Sequence, residues 1–232
     1  MRDFTEPTTQ YWQSLESDVE PGRLAPPFRF GFPARLPDGK FLMLPIRRRE
    51  AADRAVASFI ANHASFAVLD ALAAHMATTL APLDPDVILG LPTLGLALAP
   101  SLARLMGKSN FVPLGYSHKF WYQDSLSEPV TSITTTGAGR RLFVDPNLVP
   151  RLAGKRVVVV DDTISSGTTA ITALKLMQRV GADVVGLAFA MSQGRQWGAA
   201  LAAFGADWPG KVSFVFESPH LWLTEEGWVP VE

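Results

Sequence analysis

The apolar positions change texture along the chain, and that change divides it. The first 25 residues show no sustained period, although Tyr11, Trp12 and Leu15 can form a small amphipathic patch. Arg29–Leu36 and Phe41–Ile46 then flank Pro37-Asp38-Gly39-Lys40. A Pro-Asp-Gly turn between two apolar runs predicts a hairpin. About Glu50–Leu80 is Ala-rich, with Phe59, Phe66, Leu69, Leu72, Met76 and Leu80 at roughly helical spacing. This predicts one helix or two, with Asn62 and Ser65 as caps.

Beyond Pro82 short strands take over. Asp86–Leu89 and Phe111–Leu114 read as strands, with a helical segment between them that runs to Met106 and stops at Gly107. Pro100 predicts a late start or a kink in that helix. Gly115–Gly139 is polar, aromatic and threonine-rich, and longer than ordinary connections, as functional lids and disordered segments are. The last third is regular. Arg156–Val160, Asp183–Met191 and Val212–Phe216 are strand runs, and Gly167–Val180 and Trp197–Phe204 are helical. Strands alternating with helices predict an α/β fold, a mostly parallel sheet with flanking helices. The division is residues 1–50 as an N-terminal extension with the hairpin, 51–216 as the α/β core, and 217–232 as a C-terminal tail.

Composition narrows the function classes. The 232 residues are 47% hydrophobic and 19% charged, with a formal net charge of -1. A chain of this length can bury a sizeable core without staples. Near-zero net charge supplies no global field for nucleic acid or an anionic membrane. The absence of cysteine excludes disulfides, thiolate zinc sites and cysteine nucleophiles. The N-terminal residues lack the basic-then-apolar layout of a secretory signal, and no uncharged apolar stretch reaches the roughly 20 residues of a membrane span. The expectation is a soluble, cytoplasmic protein with no structural metal.

The chemistry concentrates in Val157-Val158-Val159-Val160-Asp161-Asp162-Thr163-Ile164-Ser165-Ser166-Gly167-Thr168-Thr169. Four valines make a strand buried on both faces, and two acids stand where it should emerge. Open α/β sheets bind ligands at the carboxyl ends of their strands. The small hydroxylic loop then leads into a helix N-terminus, whose unpaired N–H groups and dipole favour an anion. Ser165, Ser166, Thr168 and Thr169 add hydroxyl donors, and Gly167 lets backbone approach closely. These features suit a phosphate monoester. Asp161 and Asp162, about a sugar width away, suit two ribose hydroxyls or a hydrated Mg²⁺. The Gly-Lys-Ser/Thr signature of a Walker A loop and the dinucleotide G-x-G-x-x-G are both missing.

This run resembles the phosphoribosyl-pyrophosphate signature of the type I phosphoribosyltransferases, and the strand and helix order from about Asp86 to Phe216 resembles their fold. The resemblance implies transfer of ribose 5-phosphate from phosphoribosyl pyrophosphate to a nitrogenous base, in the first instance a purine. A non-catalytic regulator that binds the same compound is the alternative. It implies Asp161 and Asp162 on the ribose hydroxyls, with Thr163, Ser165, Ser166, Gly167, Thr168 and Thr169 on the 5′-phosphate. Thr93, Leu94 and Gly95 take the pyrophosphate-loop positions, with Arg140 assisting. Gly115–Gly139 takes the place of the catalytic loop, with Lys119 as its cation. Gly115-Tyr116 stands where adenine phosphoribosyltransferases carry an Arg-Lys pair. A small hood over the base would come from Arg29–Arg47, or from the tail through Ser218, His220 and Trp222. The resemblance further implies substrate-bound Mg²⁺, held in part by Asp161 and Asp162, and a homodimer.

Overall fold

The computed structural model describes residues 10–49, 53–130 and 140–231. Among these, two five-stranded sheets and one two-stranded ribbon form. A one-turn helix α1 (Pro21–Leu24) precedes the expected hairpin of β1 (Gly31–Arg35) and β2 (Phe41–Arg48). Strand β3 (Arg54–Ala57) follows, and the chain returns at its end as β11 (His220–Leu223) and β12 (Trp228–Val231). They join in the order β1-β2-β3-β11-β12, all antiparallel. The hairpin and the tail, two rival hoods in the sequence, are therefore one sheet. Phe28, just ahead of β1, exchanges backbone hydrogen bonds of 2.7 and 2.8 Å with Trp228, so the outer edges meet.

The expected helical start after residue 50 is corrected here. Arg54–Ala57 is a strand because its period is two: Ala55 and Ala57 are buried beside Ile46 and Leu221, and Arg54 and Val56 face out. Alanine fits either pattern, so only the pairing partners decide. Ser65 does cap the helix that follows, α2 (Phe66–Leu80), accepting from the Val68 N–H at 3.2 Å.

The second sheet is parallel, in the order β10-β9-β8-β4-β5. Its strands are β4 (Val87–Gly90), β5 (Val112–Pro113), β8 (Arg156–Ile164), β9 (Asp183–Gln193) and β10 (Val212–Ser218). A short ribbon of β6 (Ser127–Pro129) and β7 (Arg141–Phe143) follows β5. The valine run sits at the centre, with alternate residues serving opposite layers. Val158 and Val160 pack with α2, α3 (Gly95–Leu105) and the hood residues. Val157 and Val159 pack with α4 (Thr168–Val180) and α5 (Gln196–Phe204). Hood and core sheet thus share one hydrophobic cluster. Helix α3 starts at Gly95 and continues through Pro100, not after it.

Phe66–Leu83 is long and apolar enough to cross a membrane by composition. Its buried side, including Leu69, Leu72 and Met76, packs into the core cluster shared with α3. Leu72→Ala should cost about 2–5 kcal/mol in a denaturant titration. Phe66→Ala, at a side chain 84% exposed on the same helix, should change stability by less than about 0.5 kcal/mol.

Candidate active site

The order of the parallel sheet fixes where a ligand can enter. From β4 the chain steps outward to β5, then returns to β8 on the other side and continues to β9 and β10. The topological switch point therefore lies between β4 and β8, and open α/β sheets bind ligands in the crevice that opens there. The β4–β8 register ends at Gly90↔Val160, while β8 runs on to Ile164 beside β9. Asp161 and Asp162 lie within β8, one and two residues beyond its last pair with β4, not after the strand end as the sequence implied.

Both acids are buried, at 9% and 7% exposure. The Asp162 N–H donates to Asp161 Oδ1 at 2.9 Å, and Thr163 Oγ1 donates to Asp162 Oδ2 at 3.4 Å. Burial, then the Asp162 charge, push the Asp161 carboxyl well above the usual carboxylate range. Burial raises Asp162 as well. Each backbone contact only partly offsets the lost hydration.

The connection Leu91–Leu94 leads from β4 into α3 and contains a cis Pro92–Thr93 peptide. Thr93 is exposed and Leu94 half-buried at its turn. Gly95 closes onto β8: a Cβ there would stand 2.5 Å from the Val160 carbonyl oxygen and 3.1 Å from Asp161 Oδ1. Of the three expected pyrophosphate-loop residues, Gly95 is thus the one whose lack of a side chain the geometry requires.

After Ile164 the chain turns through Ser165 and Ser166 to Gly167, which has φ +79° and opens α4. Ser166 Oγ and Thr168 Oγ1 lie 2.9 Å apart. A hollow of about 130 Å³ opens on this turn, lined by Asp161 together with Thr163, Ser165, Ser166, Gly167, Thr168 and Thr169. All six residues expected to hold the 5′-phosphate therefore line one concavity. It has room for a phosphate group, not a whole nucleotide, at a helix N-terminus that favours anions.

The loop cations are placed less uniformly. Lys119 lies on an exposed turn and makes no ion pair among the described residues. Arg140 stands at the neck of the ribbon, its carbonyl accepting from the Val130 N–H at 2.7 Å. Residues 131–139 of the expected catalytic loop lie outside the described residues. The Arg140 guanidinium lies 5.4 Å from the Tyr116 ring centroid. Burial and then the Asp161 charge raise the Tyr116 phenol, with Asp162 adding and Arg140 opposing. Tyr116 is thus a protonated hydroxyl within the field of the acid pair. In the sequence it stands out only as a departure from a basic pair. Its position in the segment that follows β5, one residue past Gly115, is the available signal.

The three base-side candidates separate. Ser218 is buried and donates its hydroxyl to the Ala57 carbonyl at 3.1 Å, tying β10 to the hood. Gln193 Nε2 reaches the same carbonyl at 3.3 Å. His220 and Trp222 share one face of the hood: Trp222 is exposed, whereas the His220 ring packs on Gly194 with its Nε2 buried.

Residues 56–210 match the phosphoribosyl transferase domain family. The chain belongs to that family. It is 31% identical over 106 residues to an adenine phosphoribosyltransferase of Thermotoga petrophila, covering 46% of this chain and 58% of that protein. It is 34% identical over 116 residues to amidophosphoribosyltransferase 3 of Arabidopsis thaliana, covering 49% of this chain and 20% of that protein. An orotate phosphoribosyltransferase of Listeria innocua is 28% identical over 124 residues, covering 48% and 56%. The chain thus spans less than two thirds of each of these relatives. Among solved structures, the adenine phosphoribosyltransferase of Leishmania tarentolae shares the fold, with a TM-score of 0.55 at 21% identity over 72% of this chain and 77% of that one. The phosphoribosyltransferase fold accounts for the switch-point crevice.

The raised acids have a pH consequence. Above the ordinary carboxylate value of 3.8, the folded state holds protons that the unfolded chain has released. Stability therefore falls as pH rises through that window. Thermal melts of a D161N/D162N double variant should lie above wild type at pH 7.5, and the difference should shrink toward pH 4. Gly95→Ala should lower the melting temperature, because the new methyl meets fixed backbone.

Proposed function

We propose that this domain transfers ribose 5-phosphate from phosphoribosyl pyrophosphate to a ring nitrogen of a nitrogenous base, with release of pyrophosphate. The observation that carries the reading is the phosphate-sized hollow at the α4 N-terminus beside two buried carboxylates at the switch point. The 5′-phosphate sits in the hollow on Thr163, Ser165, Ser166, Gly167, Thr168 and Thr169. The ribose hydroxyls donate to Asp161 and Asp162. The pyrophosphate then extends toward Thr93, Leu94 and Gly95, with Arg140 and Lys119 on its outer side.

The C1–O bond breaks as the ring nitrogen approaches, and the sugar passes through an oxocarbenium-like state. Its positive charge develops near two carboxylates in a low-dielectric crevice, where such a field acts strongly. The departing pyrophosphate gains charge beside Arg140, which Tyr116 holds by its ring face. No group needs to remove a proton from the sugar. The base sheds its own proton after bonding.

Two adjacent carboxylates fit Mg²⁺, which takes one or two carboxylates and fills its shell with substrate oxygens and water. That cation would screen the pyrophosphate charge. A purine is the first acceptor class to examine, because relatives in both comparisons are adenine phosphoribosyltransferases.

Calorimetry with phosphoribosyl pyrophosphate and Mg²⁺, followed by a pyrophosphate-release assay over a panel of bases, tests the reading. Wild type should bind and release. The D161N/D162N variant should lose at least about a hundredfold in kcat/KM. Lys119→Ala and Arg140→Gln should lower kcat more than they weaken phosphoribosyl-pyrophosphate binding, by roughly tenfold each. Full turnover in the double Asn variant contradicts the sugar-binding assignment. Binding without release for any base would be the behaviour of a regulator.

A further inference from the structure

The β6–β7 ribbon carries Arg140 at its neck and is itself held from two sides. Its register pairs Ser127 with Phe143, Glu128 with Leu142 and Pro129 with Arg141, so Arg140 stands one residue beyond the last pair, across from Val130. On the β7 side, Phe143 exchanges backbone hydrogen bonds of 2.9 and 3.2 Å with Gly115, the residue before Tyr116. On the β6 side, two arginines converge on Ser127, which is fully buried. Arg141 donates to the Ser127 Oγ from Nε at 3.1 Å and from Nη2 at 2.8 Å. Arg179 donates to the Ser127 carbonyl at 2.7 Å and to Glu128 Oε2 at 2.7 Å.

Arg179 lies in the last turn of α4, where the helix dipole favours a cation. The first turn of the same helix borders the phosphate hollow, roughly 17 Å away at 1.5 Å per residue. Arg179 is therefore remote from the reacting atoms. Its guanidinium bridges a main-chain carbonyl and a carboxylate, and such a fork fixes direction as well as distance. Arg141 and Arg179 meet on one residue, and like charges so close repel. The Glu128 carboxylate offsets that repulsion. Arg140 and Arg141 are neighbours, yet their guanidinia go to different partners. Arg141 is spent on Ser127, whereas Arg140 lies 5.4 Å from the Tyr116 ring centroid. Holding Ser127 against α4 thereby decides on which side of the ribbon Arg140 emerges.

We infer that Arg179 is a positioning residue for the transfer step: from the far end of α4 it fixes β6, and through Ser127 and Arg141 it keeps the Arg140 guanidinium beside Tyr116, where the departing pyrophosphate gains charge. The inference rests on the transfer reading and adds to it a residue that touches neither sugar nor pyrophosphate. The same helix then sets both ends of the substrate, the 5′-phosphate through its first turn and the leaving-group cation through its last. A cation placed in advance stabilises developing charge without reorganising at the moment of reaction. Loss of the fork therefore acts on turnover more than on ground-state binding.

The test measures pyrophosphate release, with the acceptor base that gives the fastest turnover, and phosphoribosyl-pyrophosphate binding by calorimetry. The full chain is compared with Arg179→Met, Arg179→Lys, Arg140→Gln and the Arg179→Met/Arg140→Gln pair. Arg179→Met should lower kcat by roughly tenfold, as Arg140→Gln does, with the Kd for phosphoribosyl pyrophosphate within about twofold of wild type. Arg179→Lys reaches one acceptor but cannot fork to two, and should recover part of the loss. In the pair, the second substitution should cost less than about twofold further, because both act through one guanidinium. A kcat unchanged in Arg179→Met or in Arg140→Gln, or losses that multiply to roughly a hundredfold in the pair, overturns the positioning role alone. Should Arg179→Met not fold, Glu128→Gln removes the carboxylate from the same fork and runs the same cycle under the same criteria. A wild-type chain that fails to bind phosphoribosyl pyrophosphate or to release pyrophosphate removes the transfer reading, and this inference with it.

Discussion

Two neighbouring carboxylates are held out of water at the centre of a parallel sheet, and the rest of the site follows from that constraint. Burial makes their charge costly. The cost is partly offset because the Asp162 N–H and the Thr163 hydroxyl each donate to the pair. The crevice exists because β4 stops at Gly90 while β8 continues. It stays narrow because α3 begins at a glycine that touches Val160 and Asp161. A side chain at Gly95 would wedge these elements apart, so one missing Cβ sets the distance between the Leu91–Leu94 connection and the acids.

The hood repeats this economy on a larger scale. It is assembled from the two ends of the described chain, and Ala57 at the end of β3 is its hinge to the core. The Ala57 carbonyl accepts from both Gln193 and Ser218, at the carboxyl ends of β9 and β10. The hood is thereby tied to the carboxyl ends of β9 and β10. Ser218 contributes through this tie, which differs from direct contact with a base.

Much of this was legible in the sequence, for reasons specific to each element. The valine run could only be a strand buried on both faces, and its alternate residues do serve two layers. The hydroxyl loop and its glycine were readable because helix N-termini and left-handed turns demand those residue types. Arg54–Ala57 was not readable as a strand, because Ala55 and Ala57 satisfy a helical period equally well and only β2 and β11 reveal their partner. The hood was seen as two alternatives for the same reason: pairing between residues near 55 and near 221 leaves no local trace. Tyr116 was overlooked as a group of interest because its neighbours Arg140 and Asp161 are remote in sequence and converge on it only through the ribbon and the sheet.

A crystal structure of the chain soaked with phosphoribosyl pyrophosphate tests the central claim most directly. The account expects the 5′-phosphate in the hollow against the first turn of α4, with both ribose hydroxyls within hydrogen-bond distance of Asp161 and Asp162. Density for the compound elsewhere, or a hollow that stays filled by the side chains of Ser166 and Thr168 at saturating concentration, would contradict it.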